Sequence, residues 1–155
     1  MTIEKISGVV HWAREYHQLS ADCMQHCSEQ TLLERGQLLL HYLSEHETRL
    51  AETLNRFEHA TDADSLKALH TWCYDYLEQH PVKPHPDCDR AYAELSTHDI
   101  MQRVEHEHAQ IIALYKHLRG HVESPSAQDF MDQLISLEEH EGMRMSQSAN
   151  RLNDL

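Results

Sequence analysis

Through four long stretches of this chain, apolar residues recur every three or four positions, and in several of them ionisable side chains fall inside the apolar stripe. The spacing dictates helices, and the intrusions dictate a bundle with charge in its interior. Glycine is scarce (Gly8, Gly36, Gly120, Gly142) and β-branched runs are absent, so the chain reads as all-α. A first helix, A, is expected from about Thr2 to Cys27, with Val9, Trp12, Tyr16, Leu19 and Cys23 inward. Thr31-Leu32-Leu33-Glu34 reads as a capping box opening helix B, which continues to about Phe57. Helix C is expected from Asp89 or Ser96 to Arg119, closed by Gly120. Ser124-Pro125 or Ser126 then opens helix D, which ends near Leu152.

Between B and C the chain changes character. Asp62 or Asp64 can cap a short helix through Leu66, Leu69, Cys73 and Leu77, after which Pro81, Pro84 and Pro86 forbid further helix. This crossover, about 58–97, joins two hairpins of long helices. The arrangement fits the ferritin-like form of the four-helix bundle, in which a long B–C connection carrying a short extra helix lets B and C lie parallel. At 155 residues, 1–155 is expected to be one domain.

An acid-and-histidine cluster occurs three times: Glu45-His46-Glu47, Glu105-His106-Glu107 and Glu139-His140-Glu141. Helical geometry separates its members. On B, the stripe of Gly36, Leu40, Leu43, Leu50, Leu54 and Phe57 has Glu47 within about 20° of its centre and His46 at its flank, while Glu45 and His41 point outward. On D, Phe130, Met131, Leu134, Leu137, Met145 and Leu152 define a stripe containing Glu138 and Glu141, with Glu139 and His140 on the opposite side. On C, Met101, Val104, Ile111, Tyr115 and Leu118 enclose His108 and leave Glu105 at one edge and Glu107 at the other. Glu105-x-x-His108 is a ligand spacing for a bundle helix. Counting residues from the hairpin turns puts Glu105 level with Glu141 and His108 level with Glu138. The level facing Glu47 on helix A is His11, with Glu15 one turn nearer the A–B turn, and Glu15 lies closer to the stripe.

Glu47, Glu138 and Glu141, with Glu105, would thus form an interior layer of carboxylates, costly to bury unpaired. Arg144 and Arg49, at the flanks of D and B, are the obvious nearby cations. A pair of divalent metals would neutralise the layer, with His108 as nitrogen donor. Without metal, the carboxylates would repel one another and their pKa values would rise.

With 13 basic and 26 acidic residues the net charge is −13, which disfavours nucleic acid and anionic membrane as partners. No apolar run approaches a membrane span and the N-terminus lacks a signal-peptide pattern, so the expected location is the cytoplasm. Full protonation of the 15 histidines would add 15 to −13 and give +2, a large response to mild acid. Cys23, Cys27, Cys73 and Cys88 read as reduced thiols packed in the core. Cys23 and Cys27, one turn apart beside His26, would bind zinc only if Cys88 or His85 came near.

The chain resembles the ferritin-like, or rubrerythrin-like, diiron carboxylate superfamily. The likeness spans most of the chain and rests on the paired hairpins, the long crossover, Glu47, Glu105-x-x-His108 and Glu138-x-x-Glu141. It departs from the family pattern at Leu50, which stands in the histidine slot after Glu47, and at Glu141, which replaces a histidine partner of Glu138. The resemblance implies two iron or manganese ions, with zinc as an alternative occupant, held by Glu15, Glu47, Glu105, His108, Glu138 and Glu141. It also implies an oxidoreductase reacting ferrous iron with oxygen or peroxide, with Tyr16 or Tyr115 supplying a nearby hydroxyl. A homodimer is compatible with it. Two other readings stand beside it. A hemerythrin-like oxygen-binding bundle would use His41-x-x-x-Glu45 and His117-x-x-x-His121, and a metal-free acidic bundle would act in interaction or pH response.

Overall fold

The computed structural model describes residues 3–81 and 92–153, and His85, Cys88 and Asp89 lie outside them. Four long helices, α1 (Ile6–Gln30), α2 (Glu34–Glu58), α5 (Thr97–His121) and α6 (Pro125–Asn153), are joined by a crossover holding α3 (Ala63–Leu69) and α4 (Tyr74–Gln79). Among the described residues of the crossover there are two short helices, where the sequence suggests one running through Leu66, Leu69, Cys73 and Leu77.

Local chemistry sets most of the ends. Asp62 caps α3 by accepting from the Ser65 amide at 3.0 Å. Ser96 caps α5 through the Asp99 amide at 3.1 Å, and Ser124 accepts from the Ala127 amide ahead of Pro125. Replacing Ser96 with alanine is expected to cost about 1 kcal/mol in a denaturant melt.

Two boundaries differ from the sequence reading. Thr31 caps no amide at the start of α2; its own amide bonds the Cys27 carbonyl and closes α1. Its hydroxyl lies 3.3 Å from where a Cβ at Gly36 would stand, so the side chain packs over the first turn of α2. Gly120 does not close its helix either. α5 runs on to His121, whose ring donates to the His117 carbonyl at 2.7 Å and satisfies one of the terminal acceptors.

The helices pack as two hairpins, α1 with α2 and α5 with α6, while α3 lies on α6 and α2 touches both α5 and α6. The N-terminal segment is tied to the crossover: the Cys73 amide bonds the Glu4 carbonyl at 2.8 Å and the Ile6 amide bonds Thr71. The interior has two apolar halves. One gathers Val9, Ala13, Leu54, Tyr115, Leu118 and Leu134. The other gathers Met24, Leu39, Leu43, Leu50, Met101 and Met145. The first draws on the early part of α1 and the late part of α5, the second on the late part of α1 and the early part of α5. α2 and α5 therefore run parallel, and the crossover travels the length of the bundle.

Cys27 and Cys73 are buried free thiols, but Cys23 is disulfide-bonded, which corrects the expectation that all the cysteines are reduced. No described helix is long and apolar enough to cross a membrane.

Candidate metal centre

Between the two apolar halves lies a waist of buried polar side chains: His17 from α1, His46 and Glu47 from α2, His108 from α5, and Glu138 and Glu141 from α6. Every long helix contributes. Glu47 is the hub, its Oε2 2.5 Å from His17 Nδ1 and its Oε1 2.6 Å from His108 Nε2. His17 Nε2 in turn reaches Glu138 Oε1 at 2.6 Å. Both ring nitrogens of His17 thus face carboxylate oxygens. An imidazole can donate through both only when it carries a proton on each, that is, as imidazolium.

The electrostatics agree with that geometry. Burial by itself would pull His17 down, but the charges of Glu138 and Glu47 reverse it and push its pKa up to about 10. His108 is raised on the same grounds, burial opposing and Glu47 prevailing. Burial acts to raise Glu47, and the two histidines overcome it and hold the carboxyl well below the usual range. The expectation that metal-free carboxylates would be driven up by mutual repulsion is therefore corrected at Glu47, because imidazoles stand between the acids.

His46 and Glu141 form an adjoining pair, Nδ1 to Oε2 at 2.8 Å, flanked by Arg144 at 3.4 Å from Glu141 Oε1 and Arg49 at 3.5 Å from His46. Glu141 therefore already has an arginine beside it, whereas the cationic groups bonded to Glu47 and Glu138 among the described residues are histidines. His46 is 1% exposed, deeper than its flank position on α2 suggested, because α6 covers it with Glu141.

Of the residues singled out from sequence, Glu47, His108 and Glu138 meet in the layer and Glu141 lies buried beside them. Glu15 and Glu105 do not join. Glu15 is half exposed and pairs with His11 at 2.9 Å. Glu105 is exposed and accepts from the Ser146 hydroxyl at 3.0 Å. His11 binds Glu58 at 2.6 Å, near the end of α2. Helix α1 supplies His17 instead, a residue the sequence reading passed over. Of the inward face expected from Val9, Trp12, Tyr16, Leu19 and Cys23, Val9 and Cys23 are buried, whereas Trp12 and Tyr16 are only partly buried and Leu19 is 46% exposed. A buried line runs through Val10, Ala13, His17, Ala21 and Met24, with a small alanine one turn to either side of the histidine. Alternation of small residues with one histidine was the signal available.

His41 and Glu45 are more than half exposed and bond each other on the surface at 3.3 Å. His117 and His121 are exposed beside Tyr76. The donors of a hemerythrin-like site are thus outside the bundle.

The polar layer fits a cation. His108 Nδ1 and Glu138 Oε2 are buried without hydrogen-bond partners and stand 3.8 Å apart. Buried polar atoms without partners are costly and call for an explanation such as a bound ion or water. Ligand atoms of His17, His108 and Glu138 lie within 4.8 Å of one another, a set able to coordinate a metal. The Tyr115 hydroxyl is also buried and makes no hydrogen bond of full geometry, and burial first, then the charge of Glu138 and the approach of the hydroxyl to its carboxylate, raise its pKa well above the usual value.

No family model matches the sequence, and no curated protein sequence matches it. Among solved structures, the fold is shared with a Thermotoga maritima crystal structure provisionally described as a ferritin-like diiron-carboxylate protein. The TM-score is 0.63 and the identity 15%, over 97% of each chain.

Proposed function

We propose that this ferritin-like bundle holds a carboxylate and histidine metal centre in its waist, with iron or manganese as resident ion, and acts as an oxidoreductase on oxygen or peroxide. The observation that carries the reading is the facing pair of unpartnered buried atoms, His108 Nδ1 and Glu138 Oε2, in a layer to which every long helix contributes. His17, Glu47, His108 and Glu138 would hold one ion, a mixed nitrogen and oxygen set suited to iron, manganese or zinc. His46 and Glu141 would serve a second ion beside it, after Glu141 releases Arg144. Glu15 and Glu105 stand outside this donor set.

Bound ferrous iron would supply the electrons for reduction of oxygen or peroxide. The chain's own residues provide the setting. Glu47 and Glu138 fix negative charge in a layer closed by apolar residues on either side, which favours a cation of higher charge. Tyr115, beside Glu138, can donate its hydroxyl proton in a hydrogen bond to the unpartnered carboxylate oxygen. His17 and His108 must release protons to act as donors, so loading liberates acid.

The test is the metal content of protein purified without an affinity tag, followed by anaerobic ferrous titration. About two ions per chain are expected, as in a dinuclear bundle site. A single ion would confine the centre to His17, Glu47, His108 and Glu138. No uptake at saturating iron, manganese or zinc would leave a metal-free acidic bundle whose waist is closed by imidazolium and carboxylate.

A further inference from the structure

A groove of about 570 Å³ runs between α5 and α6 on the outer face of the bundle, and its lining includes both His108 and Glu138. Each of these two carries a buried polar atom without a hydrogen-bond partner, and they are 4% and 0% exposed. The groove's walls include Ala109, Ile112 and Gly142, and Glu105 and Glu139 are among its lining acids. Both acids are solvent-exposed; Glu105 accepts from Ser146, and Glu139 is paired with Lys116 at 3.5 Å.

Gly142 is the telling position. It sits within α6, where glycine costs roughly 1 kcal/mol relative to alanine. A Cβ built there would meet nothing within 4 Å, so tight packing does not require glycine. The missing side chain leaves the groove open above the polar layer.

We propose that this groove is the port by which divalent cations reach Glu138 and His108, with Glu105 and Glu139 drawing them to its mouth. The inference rests on the metal-centre reading above. Acids lining a cleft with apolar walls concentrate cations, and the unpartnered Glu138 oxygen is the first buried acceptor a cation meets. Glu105, which the helical pattern placed at an edge of the α5 stripe, acquires a role at the entrance.

Anaerobic stopped-flow uptake of cobalt(II) ion, read by its ligand-field absorption, tests the port, with final cobalt per chain measured separately. Gly142→Leu should project a side chain into the groove from a position where a Cβ meets nothing within 4 Å, and Glu105→Gln with Glu139→Gln should weaken the attraction at its mouth. Each is expected to slow uptake roughly tenfold or more while final cobalt per chain stays unchanged. Gly142→Ala should load at the wild-type rate, and added salt should slow the wild type more than the double glutamine variant. Should Gly142→Leu fail to fold by circular dichroism, the double glutamine variant, altered only at exposed positions, decides alone. Wild-type rates in the folded variants with full loading would overturn the port and leave the metal centre standing. Failure of the wild type to take up cobalt at saturation would overturn both.

Discussion

Glu47→Ala is expected to abolish metal binding and also to destabilise the metal-free protein by about 3–5 kcal/mol, the cost of stranding buried partner charges. Glu47 is 1% exposed and joins His17 to His108, so its removal leaves two imidazoles, both with raised pKa values, without the carboxylate they share. Glu45→Ala, two residues away on the exposed face of α2, should stay within about 0.5 kcal/mol of wild type and keep its metal. Glu141→Ala should lower the metal count and cost less stability than Glu47→Ala, since Arg144 and Arg49 lie beside its pair with His46. Urea melts with metal analysis of all three variants check this. Equal losses from Glu45→Ala and Glu47→Ala would refute the assignment of faces.

The second large effect is on pH. In the metal-free protein the pKa of His17 is raised from 6.5 to about 10 and that of His108 is also raised. Groups raised on folding contribute stability that is fully present below about pH 6.5 and is lost as pH climbs through the folded value. Each pK unit is worth about 1.4 kcal/mol, so the metal-free form should lose on the order of a few kcal/mol between pH 6.5 and 10. Glu47 works in the opposite sense: its lowered pKa contributes stability above about pH 4.5 that is lost as pH falls. Metal binding strengthens over the range in which the histidine contribution fades, because His17 and His108 must shed protons to become ligands. The difference in Tm between loaded and metal-free protein should therefore widen from pH 6 to pH 9, with proton release on loading that is measurable in weakly buffered solution. A constant difference across that range would show that neither histidine exchanges its proton for metal.

A metal-free waist closed by imidazolium also explains how several acids coexist in one interior layer. The protons on His17 and His108 occupy the role a cation would take. Removing metal need not leave bare repulsion between Glu47 and Glu138, and the apo bundle should remain folded at neutral pH.

Local chemistry written in the sequence determined the helical class, the crossover between Glu58 and Thr97, and the caps at Asp62, Ser96 and Ser124, since each depends on residues within a turn of one another. It also determined the inward facing of Glu47, His108, Glu138 and Glu141, because large apolar neighbours on α2, α5 and α6 mark the buried side of each helix. Tertiary packing decided the rest. α1 turns an alanine-lined face inward and brings His17, not Glu15, into the layer, a choice that depends on how closely its neighbours approach. The burial of His46 follows from α6 lying across it, and the exposure of Glu105 from the gap between α5 and α6. Periodicity fixes the angle of a side chain about its own helix axis; whether that angle meets another helix or solvent is set by the distance and tilt between helices, which no single helix encodes.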